Sequence, residues 1–480
     1  MNGAPPPASP FTGQRLLFLT GRLALPRLER VLAEMGPTDF HFSIRDMGVK
    51  VAALLTGDII RRRLELPVDA DRIVVPGRCR ADLESLERHF GVAVTRGPDE
   101  VADLPQFLGR GRKVADLSRH DMRIFAEIVD ASALSLPAIV ERARAMALSG
   151  ADVIDLGCLP DTPFPHLEDA VHALKAEGLA VSVDSADRGE LVRAARAGAD
   201  YLLSLTEHTL DIALEGDCIP ILVPAEPRDL GSLLRAVDAA TDRGLSFIAD
   251  PVLDPIHFGF TDSLARYHAL RAARPHIDIM MGTGNLTELT EADSSGITAL
   301  LLGIASELFV RNLLVVHVSA HTRRTIEEHD IARRIMHAAR ADNALPRGYS
   351  PALSQVHDLR PVANSAADIA EQAAAVRDRN YRIEVAEDGI HLFTRGQHAV
   401  HGDAFSFYPL LDVAGDPAHA FYLGAELQKA EIAFRLGKRF AQDEPLRFGV
   451  ATPEAGDEDR TRLAEAGHTL KARRDGAGEP

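Results

Sequence analysis

Between residues 120 and 340 one pattern repeats eight times: a short run rich in apolar and β-branched residues, then a longer stretch with helical spacing. The short runs are FAEIVD, DVIDLG, LAVSVD, DYLLSL, IPILVP, SFIADP, IDIMMG and LLVVHV. Taken to end at Asp130, Asp155, Asp184, Ser204, Val223, Asp250, Gly282 and His317, they recur every 19 to 35 residues, room each time for a strand, a loop and a helix. The stretches SLPAIVERARAMALSG, RGELVRAARAGA and DLGSLLRAVDAATDRG are helical by period, and several such stretches end in Gly, which stops a helix by taking left-handed backbone. Strands this apolar need cover on both faces, which β–α–β connections supply. Eight such units predict a closed (β/α)8 TIM barrel over residues 115–340. An open doubly wound sheet is the alternative, and it rarely carries eight strands in unbroken rhythm.

The flanks read differently. The Pro-rich residues 1–14 are expected to form a flexible arm. Over 15–110, RLLFLT, FHFSI and DRIVVPG alternate with the helix-like LPRLERVLAEMG, VKVAALLTGDIIRRRLEL and ADLESLERHFG, which reads as an N-terminal α/β domain. RGPDEVADLPQFLG, with turn residues and little periodicity, is the connector out of it. Residues 341–365, with NALPRGYSP, read as a linker, 366–452 as a small C-terminal α/β domain and 453–480 as a flexible tail. In that last domain YRIEVAEDGIHLF predicts a hairpin turning near Glu387 to Gly389, and the segment beginning HAFYLGAELQKAEIAFRLGKRF predicts a helix with a broad apolar face.

Composition narrows the partners. Apolar residues are 46% and charged residues 26%, enough for an ordinary core, and the net charge is −17. So acidic a surface repels phosphate backbones and anionic lipid, so no nucleic acid and no membrane surface is expected as a partner. The three cysteines, Cys79, Cys158 and Cys218, form no CxxC pair, which excludes a zinc ribbon or disulfide framework and fits a reducing, cytoplasmic location. The first apolar run, Leu16 to Leu25, is short and broken by Arg22, unlike a signal peptide.

In a barrel of this kind the chemistry lies at the C-terminal ends of the strands. The polar residues there are Asp130, Asp155, Asp184, Ser204, Asp250, Asn285 and His317. A carboxylate closing an apolar strand costs free energy unless it is paired or used. Any one of them could cap the next helix. Four converging on one mouth favour a ligand rich in hydrogen-bond donors, or a metal, for which Asp130 is the candidate ligand.

The motifs have a family likeness. LSGADVIDLG at 148–157 resembles the second-strand motif of the pterin-binding barrels, the dihydropteroate synthases and the corrinoid-linked methyltetrahydrofolate methyltransferases. VSVDS at 181–185 with RAARAGADYLLSL at 193–205 is similar to their third and fourth strands, FIADPVLDPIHFGF at 247–260 to the sixth-strand loop, and VVHV at 315–318 to the last strand. The resemblance implies that Asp184 positions the pterin, that Asp250 accepts hydrogen bonds from its 2-amino and ring N–H groups, and that His317 lies near the diphosphate. Asp155, Ser204 and Gly282 would complete the pterin site. A satisfied core histidine is the structural alternative for His317. GTGN at 282–285 resembles the methyltransferase loop whose Asn bonds the tetrahydropterin near its reacting nitrogen, a part Asn285 would take; a plain turn is the alternative.

The departures are as specific. Where the synthases carry Ser-Arg-Lys after the seventh strand, this chain has MGTGNLTEL, and Val315 occupies the place of the diphosphate-binding Arg. Arg188, after the third strand, is a cation that could compensate. The C-terminal segment 419–449 resembles part of the corrinoid-bearing subunit of tetrahydromethanopterin S-methyltransferase, and His398 and His401 in QHAVHGDAF are spaced as a candidate metal pair. The arrangement as a whole resembles the dihydropteroate-synthase-related proteins associated with tetrahydromethanopterin. The resemblance implies a transferase that condenses a dihydropterin diphosphate with an arylamine, using Mg²⁺, with a homodimer by analogy. The alternatives are methyl transfer between a tetrahydropterin and a corrinoid, or a non-catalytic pterin-binding scaffold.

Overall fold

The computed structural model describes residues 9–110, 116–159 and 162–452; the expected tail and residues 1–8 of the expected arm lie outside them, whereas residues 9–14 are not a flexible arm, because Phe11 is buried in a core cluster and the Ser9 N–H donates to Asp39. The described chain forms two compact units. Residues up to 110 group with 356–448, and the barrel region up to 355, with Gly449–Ala451, forms the other. The N- and C-terminal flanks, read from sequence as separate bodies, thus share one unit.

In that unit β1 (Arg15–Thr20), β2 (His41–Asp46), β3 (Arg72–Val75) and β4 (Ala93–Arg96) form a parallel sheet in the order β2-β1-β3-β4. Three of these strands follow the expected runs. The fourth, AVTR, is only four residues long and abuts the connector, which hid it. The stretch VKVAALLTGDIIRRRLEL is not one helix. Thr56 caps a fresh helix at Gly57–Arg63 by accepting from the Ile59 N–H, and this splits the periodic run.

The other unit is the barrel. Its strands are β5 (Arg123–Ile128), β6 (Val153–Gly157), β7 (Ala180–Asp184), β8 (Tyr201–Leu205), β9 (Ile219–Leu222), β10 (Ile248–Ala249), β11 (Asp278–Gly282) and β12 (Asn312–Val316). They close in sequence order through parallel β12–β5 pairing. The expected helices appear at Leu136–Leu148, Arg188–Arg196 and Leu230–Asp242, each followed by a glycine at positive φ. The crossover from β8 to β9 makes only the 3₁₀ stretch Leu210–Glu215 in place of an α-helix.

The barrel buries two apolar layers. Helix faces pack outside the strands through residues such as Ile139, Leu174, Val237 and Leu302. Inside, Phe125, Val153, Tyr201, Leu203, Ile221, Ile248 and Met280 fill the lumen. At about 25 cal/mol per Å² of apolar surface removed from water, this filled lumen is core rather than pore.

Beyond the barrel, β13 (Arg382–Ala386) and β14 (Gly389–Thr394) form the expected hairpin, and β15 (Gln397–His401) adds a third antiparallel strand. The helix Pro417–Leu436 packs its buried Leu423, Leu427, Ala430 and Ala433 on this sheet. Among the described residues no helix is long and apolar enough to cross a membrane.

Candidate functional site at the barrel mouth

Side chains alternate along a strand, so residues two apart share a face. Phe125, Val153 and Ile248 point into the lumen; two residues on, the same face carries Glu127, Asp155 and Asp250. On β7 the lumen register runs through Ser182 to Asp184. Glu127 and Asp155 are direct partners across β5–β6, and Asp184 pairs with Gly157 across β6–β7. Four carboxyl groups therefore cap the apolar lumen.

Each is held in its own way. Asp155 is fully buried, and neither carboxyl oxygen has a hydrogen-bond partner among the described residues. Ser182 lies opposite it in the ladder but outside hydrogen-bond geometry, so it only partly offsets the shift. Burial first, then the charges of Asp184 and Glu127, push the Asp155 carboxyl far above the usual range. Burial and the nearby Asp184 raise Glu127 to about 7. Gly157 makes room for it: a Cβ there would stand 2.7 Å from Glu127 Oε1 and 3.0 Å from the Val129 backbone.

Asp184 is raised by burial and partly restored by Ser204, whose Oγ donates to Asp184 Oδ1 at 2.7 Å. Ser204 can do this because β8 is irregular between Leu202 and Leu205, and Ser204 takes a φ of 66°, left-handed backbone that a non-glycine residue holds only under constraint.

Asp250 is aimed by its loop and by a helix. Its Oδ1 accepts from the Val252 N–H at 2.8 Å and from the Tyr267 hydroxyl at 2.9 Å. Among the described residues no hydrogen bond is made to Oδ2. Burial lifts Asp250 to about 6 despite those two bonds. Arg266 fixes the same loop, donating to the carbonyls of Pro251 and Val252 and to Asp254. Asn285 joins it from the next strand end, its Nδ2 donating to Leu253 O at 2.7 Å. The GTGN segment is itself anchored by Thr283 Oγ1, 3.0 Å from Nε2 of the buried His329. Burial depresses that imidazole to about 4, so it serves here as a neutral hydrogen-bonding group. Beside Gly282 a Cβ would meet nothing within 4 Å, so the mouth is open there.

The expected residues thus separate. Asp155, Asp184, Ser204, Asp250 and Asn285 share this mouth, with Gly282 at its edge. Asp130 does not. The strand stops at Ile128, and Asp130 leads a 3₁₀ turn, half exposed and paired to Arg142 at 2.7 Å. Glu127, three residues earlier and in lumen register, occupies the place read for it. His317 lies just past β12, exposed and without a hydrogen bond among the described residues, so it is not a core histidine. Arg188 is engaged by Asp211. His398 and His401 stand on β15, where an odd spacing puts them on opposite faces and excludes a shared metal. His398 instead meets His391, which Asp388 holds from the other side.

Glu127 was legible in principle through its two-residue offset from Phe125. Tyr267, Arg266 and His329 lie on helices, and no motif marks them.

The profile of a family of unknown function (DUF6513) matches residues 14–99. An uncharacterized protein of Methanocaldococcus jannaschii is 25% identical, the match spanning 89% of this chain and 98% of that protein. Among solved structures, a dihydropteroate synthase from Thermus thermophilus in complex with 6HMPPP is similar at 23% identity and a TM-score of 0.36, covering 46% of this chain and 95% of that one. A Yersinia pestis enzyme with a pterine-sulfa conjugate is similar at 20% identity and a TM-score of 0.35, covering 47% of this chain and 95% of that one.

Proposed function

We propose that the barrel binds a pterin and is a dihydropteroate-synthase-like transferase, joining a dihydropterin diphosphate to an aminobenzene-type amine in tetrahydromethanopterin or folate biosynthesis. The observation that carries this reading is Asp250: a buried carboxyl, oriented through one oxygen, with the other left to accept from a ligand. The 2-amino and ring N–H groups of a pterin are adjacent donors that match such an acceptor. Asp184, set by Ser204, and Asn285, tied to the Asp250 loop, would flank the ring. In the reaction the amine nitrogen attacks the pterin's exocyclic methylene carbon as the carbon–oxygen bond to diphosphate breaks. The nitrogen gives up one proton and diphosphate leaves. Glu127, raised to about 7, is the carboxyl best matched to take that proton near neutral pH.

Among the described residues no three His, Cys, Asp or Glu side chains are arranged to hold a metal ion, so Mg²⁺ would be carried by the diphosphate with at most one or two carboxylates of the chain. One observation favours a second reading, methyl transfer from a tetrahydropterin to a corrinoid. Among the described residues no Lys or Arg is hydrogen-bonded or ion-paired to the four carboxyls, so no cation there is placed to meet a diphosphate.

The test is diphosphate release from 6-hydroxymethyl-dihydropterin diphosphate with Mg²⁺, run with p-aminobenzoate and with its ribosylated phosphate. Amine-dependent release establishes the synthase, and the amine that works names the pathway. No release by protein that binds the pterin removes the synthase reading and leaves methyl transfer or a binding role.

A further inference from the structure

The other unit carries a cavity of about 510 Å³, within the range of small-molecule sites. It opens at the C-terminal ends of β1, β3 and β4, lined by Thr20, the last residue of β1, and by Gly77 and Pro98 just past β3 and β4, and roofed by the hairpin strand β13. The sheet order β2-β1-β3-β4 makes this a switch point. The chain leaves β1 toward β2 on one side and leaves β3 toward β4 on the other, so the loops part between β1 and β3. Open parallel sheets bind ligands at such a crevice. Gly77 is needed to form it, because a Cβ there would lie 2.4 Å from the backbone of Pro98 and Asp99.

Two groups in the cavity are incompletely used. Asn364 is only 8% exposed; its Nδ2 donates to Glu384, while its buried Oδ1 has no partner among the described residues. A buried acceptor left unpaired loses its hydration without recompense, so it calls for a donor. Arg27 is half-buried and donates to Ala363 O at 2.7 Å. The cavity's other arginines have carboxylate partners: Arg22 with Asp46, Arg30 with Asp368, Arg78 with Glu100 and Arg382 with Asp378. Among the described residues Arg27 has none within ion-pair distance. It also belongs to the first turn of the helix Leu25–Glu34, whose N-terminus has no side-chain cap and reaches the cavity at Ala24 and Pro26. The Leu25 N–H is taken by Gly21 O and Pro26 has no N–H, which leaves the Arg27 N–H as the donor of this helix start, and the guanidinium attracts Asp368 and Glu384 only from beyond ion-pair distance, so both remain available to an anion. Aliphatic walls from Leu23, Val51 and Val75 suit a flat ring.

We propose that this cavity is a second small-molecule site, for a mononucleotide-like ligand whose phosphate meets Arg27 and the helix start and whose base gives an N–H to Asn364 Oδ1.

The test uses the full chain with 5′-AMP, 5′-GMP and 5′-UMP as probes and ribose 5-phosphate as control, read by saturation-transfer NMR and titration calorimetry. At least one nucleotide should bind with a sub-millimolar Kd, and ribose 5-phosphate at least tenfold more weakly. Arg27→Gln and Asn364→Ala should each weaken nucleotide binding about tenfold or more, while Asp250→Ala, in the barrel, should leave it unchanged. Absence of binding at millimolar nucleotide, equal binding of ribose 5-phosphate, indifference to both substitutions in protein of unchanged melting temperature, or loss on Asp250→Ala would each overturn the proposal. Pterin binding is measured on the same Arg27 and Asn364 variants and should persist, so failure here and failure of the barrel reading are separable.

Discussion

Both units gather polar groups where parallel strands end, and they do so with opposite chemistry. At the barrel mouth Glu127, Asp155, Asp184 and Asp250 face one another with no cation among the described residues hydrogen-bonded or ion-paired to them, and all four carboxyls are raised. In the cleft beside β1 and β3 arginines and carboxylates are interleaved, most arginines in ion pairs and Arg27 acting on Asp368 and Glu384 from beyond ion-pair distance. Parallel strands deliver loops to one edge in both cases. What the edge can recognise depends on which residue types the loops and the lumen register bring there. The barrel offers acceptors to a donor-rich ring, and the cleft offers a cation to an anion and one amide acceptor to an N–H donor.

The largest expected effect is at Asp250. Asp250→Ala should weaken pterin binding at least a hundredfold while the fold survives, as read by calorimetry and circular dichroism. Unchanged binding in folded protein would remove the acceptor role and with it the contrast between the two edges.

The second test uses pH. Glu127 is raised in the folded chain from 4.5 to about 7, so within that window the folded state binds more protons than the unfolded state. Its contribution is fully present below about pH 4.5 and is lost as pH rises through about 7, on the order of 3 kcal/mol in all. The ligand-free barrel should therefore melt at a lower temperature at pH 8 than at pH 5, and Glu127→Gln should flatten the dependence. A barrel transition equally steep in the variant would show that the mouth carboxyls do not interact as their burial implies.

A third substitution probes the space Glu127 needs. In Gly157→Ala the new Cβ meets Glu127 Oε1 and the Val129 backbone, and the expected cost is about 1–3 kcal/mol in denaturant unfolding, with weaker pterin binding. Neutral behaviour would mean that Glu127 has another place to go. The smallest effect is at Ser204. Ser204→Ala removes one hydrogen bond to Asp184 and should reduce pterin affinity a few-fold, with stability changed by about 1 kcal/mol or less.

How far the site could be read ahead varies with the residue. Asp155, Asp184 and Asp250 close apolar runs, so their position was visible in the pattern. Asp130 closes one too, yet the strand had already ended, and strand ends are where propensity is least decisive. Counting back by two from the lumen, rather than forward to the last acidic residue, leads to Glu127. The bond from Asn285 to the Leu253 carbonyl, in the loop after Asp250, joins residues 32 apart, which no local pattern encodes.

By itself the sequence determined the eightfold strand rhythm, the apolar lumen and helix faces, the glycine stops and the acidic residues at the ends of strands, because burial and backbone geometry act over a few residues at a time. Only the tertiary structure decided that the flanking segments form one unit, that Glu127 replaces Asp130, that Tyr267 leaves Asp250 one free oxygen, and that Asn364 lines the cavity at the ends of β1 and β3. These depend on barrel closure and on chain segments far apart in sequence, where distance along the chain carries no information about distance in space.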